Sequence, residues 1–225
     1  MSRSPRRIPD ATVARLPVYH RGLQELLRGR RTTVSSEELA ELAGLNAAKV
    51  RKDLSYLGTY GTRGVGYDVE TLVRRIAVEL GLTENWPVVI VGIGNLGRAL
   101  ASYGGFSARG FRIAAVLDSD PRKTGEPVGD LQIRPTSDLA AVVHSEGVAI
   151  GIIATPGNSA QRVAGEMVGA GIRSILNFSP AVLVVPDDVA VRSVDLAVEL
   201  QVLSYYQHHR DDALPSPPLL GSGGR

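Results

Sequence analysis

Hydrophobic positions change period along this chain, and each change marks an element. From Ile8 to Arg28, Leu16, Tyr19, Leu23, Leu26 and Leu27 recur near helical spacing, and Pro17 inside that pattern predicts a break or kink. Ser35 and Glu38 form an S-x-x-E capping box ahead of a short helix, SEELAELA, which Gly44 ends. Asn46 is placed to cap a further helix, AAKVRKDLSYLG, whose Val50, Leu54 and Leu57 share one face at i, i+4 and i+7. The segment from Gly58 to Val69 holds four glycines, Tyr60, Tyr67 and a central Arg63, which predicts a two-stranded hairpin. A helix over Glu70–Leu80 follows, and Pro87 marks a boundary near Glu84, with Trp86 expected to pack at the seam.

Beyond this boundary short apolar runs alternate with helical stretches. Strands are predicted at Val88–Val91, Phe111–Asp118, Val148–Thr155, Ile172–Leu176, Val182–Val185 and Val189–Val194, with helices at RALASYGGF, Asp138–His144 and Ser159–Gly169. This alternation predicts an α/β doubly wound parallel sheet. Two short helices across a glycine-containing turn, the second basic, predict a helix-turn-helix, and the glycine-rich hairpin after it predicts a wing. The expected organisation is a winged helix-turn-helix domain at residues 1–84 and a Rossmann-like domain at 85–194. A terminal helix at 195–210 precedes a Pro/Ser/Gly-rich, disordered tail at 211–225.

The terminal helix has an unusual pattern. Wound at about 100° per residue, Leu196, Leu200 and Leu203 lie within about 60° of one another, while Val198, Val202, Tyr205 and Tyr206 lie on the opposite side. A helix apolar on both faces must be buried on both. As the last element of one chain it predicts insertion between two subunits of a homodimer.

The stretch VVIVGIGNLG supplies the first chemistry. A buried strand runs into Gly92, Gly94 and Gly97 at G-x-G-x-x-G spacing, the order a dinucleotide site needs for a tight turn, a close pyrophosphate and close helix packing. Asp118 follows 21 residues after Gly97 at the end of a second strand, about where a carboxylate bonds the adenosine ribose hydroxyls. An anion there disfavours a 2′-phosphate, so NAD is preferred over NADP, and Arg122 with Lys123 weaken that preference. The strand ending at Thr155 and Pro156 adds cofactor-lining candidates, and the next leads into Asn177, Phe178 and Pro180.

Charge changes the picture of the head. Residues 1–67 hold 12 Lys+Arg against 6 Asp+Glu, a charge of +6, whereas residues 68–225 hold 13 against 17, a charge of −4. Arg3, Arg6 and Arg7 in the tail account for half of the basic excess. Lys49, Arg51 and Lys52 flank the apolar stripe of the second helix and suit either a solvated face or a phosphate backbone. Arg63 on a slender hairpin suits a narrow minor groove.

At 225 residues and 44% hydrophobic the chain can bury one large or two small cores. It has no run of 18 apolar residues and no apolar signal-peptide core, so a cytoplasmic protein with no membrane partner is expected. With no cysteine, disulfides, thiol nucleophiles and thiolate metal sites are excluded, and no metal is expected.

Together AAKVRKDLSYLGTYGTRGVGYDV, VVIVGIGNLGRALASYGGF, LDSDP, ATP, NFSPAVL and VDLAVELQVLSYY resemble the Rex family of redox-sensing transcriptional repressors, from Ile8 to Tyr206. The resemblance implies a homodimer that binds a palindromic double-stranded operator when free or bound to NAD⁺, releases it on binding NADH, and controls respiratory and fermentative genes. It implies DNA contacts from Arg15, Asn46, Lys49, Arg51, Lys52, Tyr60 and Arg63. Gly92, Gly94, Asn95, Leu96, Gly97, Asp118, Thr155 and Pro156 would hold the adenosine and pyrophosphate. Tyr103, Asn177, Phe178 and Pro180 would surround the nicotinamide, and Asp195 would meet Tyr103 across the dimer beside Leu196, Leu200 and Leu203.

A small dehydrogenase is the main alternative, and a CoA-type ligand in the same pocket is another. Hydride transfer needs an acid or base near the substrate carbonyl, and candidates are few. His20 is in the head, His144 on a surface helix and His208 with His209 at a chain end, while lysine occurs only at 49, 52 and 123. A regulator with no catalytic residues is therefore the expectation.

Overall fold

A computed structural model describes residues 8–59, 61–62 and 64–209. The chain divides into two compact units between Asn85 and Trp86. The basic tail with Arg3, Arg6 and Arg7, the wing residues Tyr60 and Arg63, and the expected disordered end at 211–225 lie outside the described residues.

The first unit comprises α1 (Asp10–Val13), α2 (Leu16–Arg28), β1 (Thr33–Val34), α3 (Ser36–Ala43), α4 (Ala47–Tyr56), β2 (Tyr67–Asp68) and α5 (Val69–Glu79). The break expected at Pro17 falls just before it, at Ala14 and Arg15, because proline fits the first turn of a helix and no later one. Ser35 and Glu38 form both halves of the capping box, and Gly44 ends α3 in the left-handed conformation at φ 65°. Asn46 caps α4 by accepting from the Lys49 N–H, and Asp68 caps α5 through Thr71. Leu16, Tyr19, Leu23, Leu39, Val50, Leu54, Leu72 and Ile76 close one core.

Among the described residues of the expected hairpin, Thr62 bridges Gly66 across a turn, and Tyr67–Asp68 pairs with Thr33–Val34, a strand too short to show a period. Gly66, at φ 90°, passes so close to Val34 that a Cβ there would sit 2.4 Å from the Val34 carbonyl oxygen.

The second unit runs β3 (Trp86–Val91), α6 (Asn95–Ala101), β4 (Phe111–Asp118), β5 (Pro127–Val128), β6 (Leu131–Pro135), α7 (Leu139–Glu146), β7 (Ile150–Ile153), α8 (Gly157–Gly169), β8 (Ser174–Asn177), β9 (Ala190–Ser193) and α9 (Leu196–His208). Trp86 opens β3 opposite Phe111 and so belongs to this sheet. The strand order is β5-β6-β4-β3-β7-β8-β9, parallel throughout except for the β5–β6 hairpin. The chain leaves β3 toward β4 and β6, then returns to β7 on the other side of β3. That reversal opens a crevice at the carboxyl ends of β3 and β7.

Alternate residues of β3 serve two cores. Val89 and Val91 pack with α7 and α8, whereas Val88 and Ile90 face the side of α6. The helix after the glycine loop is shorter than expected, since Gly104 and Gly105 follow its end at Ala101. Val182–Val185 is not a strand: Val182 and Val184 are exposed, while Leu183 and Val185 pack on the α8 core. The Gln161 side chain substitutes for a neighbouring strand, bonding both the N–H and the C=O of Val184. Every large apolar residue of α9 is at least 46% exposed, on both faces. Among the described residues no helix is long and apolar enough to cross a membrane.

Candidate functional site

The glycine loop is shaped by clashes that any side chain would create. Gly92 has φ 99°, and a Cβ there would lie 2.7 Å from the Ala154 carbonyl carbon and from Thr155 Cγ2. A Cβ on Gly97 would lie 1.9 Å from the Gly92 carbonyl oxygen, so only glycine lets α6 pack this close to the turn. Gly94 differs, because a Cβ there meets nothing within 4 Å. Its bareness serves the space beyond the loop and not the packing beneath it.

That space is a cavity of about 510 Å³ at the topological reversal, a usual size for a small-molecule site. Gly92 and Gly94 line it from the loop, Asn95 and Leu96 from the start of α6, Asp118 and Ser119 from the end of β4 and the residue after it, Thr155 and Pro156 from the turn after β7, and Phe178 from the residue after β8. Thr155 Oγ1 is buried and has no hydrogen-bond partner among the described residues. A buried hydroxyl without a partner costs about 1–3 kcal/mol, which a ligand donor or acceptor in the cavity would recover.

Asp118 does more than face this cavity. Its Oδ2 accepts from the Ile93 N–H at 2.7 Å and from Lys123 Nζ at 2.8 Å, and its Oδ1 accepts from the Asp120 N–H at 2.9 Å. Burial pulls this carboxyl up, but Lys123 and the two backbone N–H groups outweigh burial and hold it below the usual carboxylate range. Asp118 therefore anchors the glycine loop as well as lining the site.

Besides Gly97, which packs beneath the loop, three candidates lie outside the lining of this cavity. Asn177 is fully buried: its amide donates to the Ala181 carbonyl and accepts from the Ser179 N–H, building the turn after β8. Pro180 sits beside Gly157, at the start of α8. Tyr103 stacks edge-on against Phe106 and lines a second, apolar cavity of about 400 Å³ with Val88, Phe111, Ile113, Ile152 and Leu176, on the α6 side of the sheet. Conversely, Thr136, Ser159, Arg162 and Val163 line the first cavity and were not anticipated. Thr136 was within reach of the rule that ligands sit at strand ends, since it follows β6 directly. Ser159 and Arg162 required knowing which face of α8 turns inward.

In the head, Lys49, Arg51 and Lys52 are exposed on α4 while Val50, Leu54 and Leu57 point inward, as the spacing predicts. Arg51 is also tethered to the start of α3, donating to Ser36 Oγ at 2.8 Å and Glu37 Oε1 at 3.0 Å. Arg15, a DNA-contact candidate, is tethered within the head. Its guanidinium pairs with Asp53, a buried carboxylate on the inner side of α4, at 2.7 and 2.8 Å. Thr12 Oγ1 and the Tyr19 hydroxyl donate to the same carboxylate. Burial raises Asp53 and these bonds lower it further, leaving it below the usual range. The Tyr19 hydroxyl is pushed up, by burial first and Asp53 second.

Comparison with known proteins decides the family. Residues 83–181 match the CoA binding domain model, and residues 7–55 match a model described as putative DNA-binding protein N-terminus. The redox-sensing transcriptional repressor Rex of Streptomyces avermitilis is 59% identical over 205 residues, covering 91% of this chain and 81% of the relative. The chain belongs to the Rex family. Rex of Pelotomaculum thermopropionicum is 49% identical over 88% of this chain and 93% of its own length. The Rex-family repressor RSP, solved with NAD⁺ and operator DNA, is 36% identical and superposes with a TM-score of 0.85 over 91% of this chain and 94% of that one. RSP solved with NADH gives a TM-score of 0.81, covering 91% and 95%. The Rex relatives are named for repression of transcription, which bears out the expectation of a regulator in place of an enzyme.

Proposed function

We propose that the chain is a repressor that reads the NADH/NAD⁺ ratio and binds operator DNA as a homodimer in the cytoplasm. One observation carries this reading: a single chain holds both an exposed basic helix, the second of a helix-turn-helix, and a glycine-loop cavity with a buried hydroxyl, Thr155, that has no partner among the described residues. Support comes from RSP, whose structures contain NAD⁺ with operator DNA in one case and NADH in another.

In this reading Gly94, Asn95, Leu96 and Thr155 receive the pyrophosphate and its riboses, and Phe178 meets the nicotinamide. NAD⁺ carries a positive ring and NADH a neutral one, so an apolar wall favours NADH by the cost of desolvating a charge. Lys49, Arg51 and Lys52 meet the operator. The two-faced α9 and the apolar cavity around Tyr103 are both surfaces for a second subunit, with Asp195, which caps α9, near the partner's Tyr103. NADH that changes the separation of the two heads lowers operator affinity, because half-site spacing is a geometric requirement. Linkage then requires operator DNA to weaken NADH binding by the same factor.

An operator gel shift titrated separately with NAD⁺, NADH, NADPH and CoA tests this. Release by NADH at concentrations where NAD⁺ leaves the complex intact is expected. Release by CoA alone, or by none of the four, overturns it.

A further inference from the structure

We infer that Glu37 sets how sharply this protein tells its operator from other DNA, by holding Arg51 as a reader of base edges, an inference that rests on the repressor reading above. Arg51 Nη1 donates to Ser36 Oγ at 2.8 Å and to Glu37 Oε1 at 3.0 Å, and the Ser36 hydroxyl donates to Glu37 Oε2 at 3.1 Å. Three side chains thus close a ring between α3 and α4. Ser36 is buried and gives the ring a fixed base, whereas the Arg51 and Glu37 side chains are 54% and 66% exposed and reach the surface. Lys49 and Lys52 are exposed on the same helix, and among the described residues their ammonium groups have no partner.

All of the restraint on Arg51 falls on one nitrogen. Among the described residues its Nε and Nη2 bond to nothing, so a guanidinium held through Nη1 presents those two as a fork. The same edge is the one by which Arg15 grips Asp53. Such a fork matches O6 and N7 of guanine. Glu37 at the same time cancels the charge that would draw Arg51 to any phosphate. Phosphate attraction is common to every sequence, whereas bidentate base contacts discriminate, so the hold weakens the first and sharpens the second. Glu38 has a different task, since its carboxylate accepts from the Ser35 N–H and completes the capping box of α3. The Glu37 carboxylate accepts from Ser36 and Arg51 and from no other residue among those described.

The test is affinity for the operator duplex and for a shuffled duplex of equal length and base composition, measured from about 50 to 200 mM salt. It is made on the full chain and on its Glu37→Gln, Arg51→Lys and doubly substituted variants. Glu37→Gln is expected to lower the operator-to-shuffled ratio about fivefold or more, with a salt slope on the shuffled duplex steeper by about one. Arg51→Lys keeps the charge and removes the fork, so the ratio is expected to fall there too, and adding Glu37→Gln should then change it by less than about twofold. An unchanged ratio in Glu37→Gln overturns the inference, whether both affinities rise together through loss of a repelling charge or only the melting temperature falls through loss of an acid from the first turn of α3. An unchanged ratio in Arg51→Lys does the same, as does a second fivefold loss in the double variant, which places the effect of Glu37 outside Arg51. Wild-type protein that binds the two duplexes alike overturns the repressor reading together with this one.

Discussion

Asp53 and Arg15 form an ion pair at 2.7 Å that joins the inner side of α4 to the segment between α1 and α2. The carboxylate is 2% exposed and takes further bonds from Thr12 and Tyr19, so the helix that carries Lys49, Arg51 and Lys52 is held from behind by a saturated acid. Removing the acid leaves a guanidinium and a phenol facing apolar neighbours. Asp53→Ala is expected to destabilise the head by about 3 kcal/mol, and Asp53→Asn by somewhat less, as read by chemical denaturation. A loss below about 0.5 kcal/mol, the range of ordinary surface changes, contradicts the assignment. The same pair gives a pH dependence of fixed sign. The folded Asp53 carboxyl is depressed, so its contribution is complete above the unfolded value of about 3.9 and is lost as pH falls through the folded value below it. Asp118 behaves alike. Stability of the wild-type chain should drop more steeply below about pH 4 than that of Asp53→Asn. Parallel curves in acid denaturation count against the linkage.

Gly97 and Gly94 separate packing from binding. Gly97→Ala places a methyl group 1.9 Å from the Gly92 oxygen and is expected to cost about 3 kcal/mol of stability along with NADH binding. Gly94→Ala meets no protein atom within 4 Å, so stability should hold within about 0.5 kcal/mol while NADH affinity falls. Calorimetric melting and NADH titration measure the two quantities independently, and unchanged affinity in Gly94→Ala shows that the ligand does not approach there.

Thr155→Val removes a hydroxyl that has no partner among the described residues. The free protein should be unchanged or more stable by up to about 1 kcal/mol, whereas NADH affinity should fall about fivefold or more. Equal affinity in the variant places the hydroxyl out of reach of the ligand.

Lys49→Ala and Lys52→Ala should weaken operator binding nearly uniformly across sequences. Each phosphate interaction removed lowers the slope of log affinity against log salt by about one. Affinity measured from about 50 to 200 mM salt checks this, and an unaltered slope marks these lysines as solvated.

On the proposed homodimer reading, deletion of residues 195–210 should leave no dimer, because among the described residues nothing covers either apolar face of α9. Light scattering that finds a well-folded dimer after the deletion overturns the exchanged-helix assignment.

Much of this architecture depends on interactions between near neighbours, and those were legible in the sequence. The Ser35–Glu38 capping box, the Asn46 cap, the end of α3 at Gly44 and the full extent of β4 from Phe111 to Asp118 each depend on residues within a turn or on a period of two. Gly92 and Gly97 could be placed because their spacing answers a backbone clash that only glycine avoids. The family was legible too, since its motifs span most of the chain. Partnerships across long stretches of chain were not. Nothing in the sequence near Arg15 points to Asp53, 38 positions away, which the fold brings against it. Val182–Val185 has the composition of a strand, but its hydrogen-bond partner is a side chain on α8, so no ladder forms. Tyr103 lies on the α6 side of the sheet because Gly104 and Gly105 follow the helix end early, and Lys123 turns inward where Arg122 turns out. Periodicity and capping are local free energies that a short window contains. Which side of a sheet a residue occupies, and which charge it meets there, is decided only when segments distant along the chain compete for the same space.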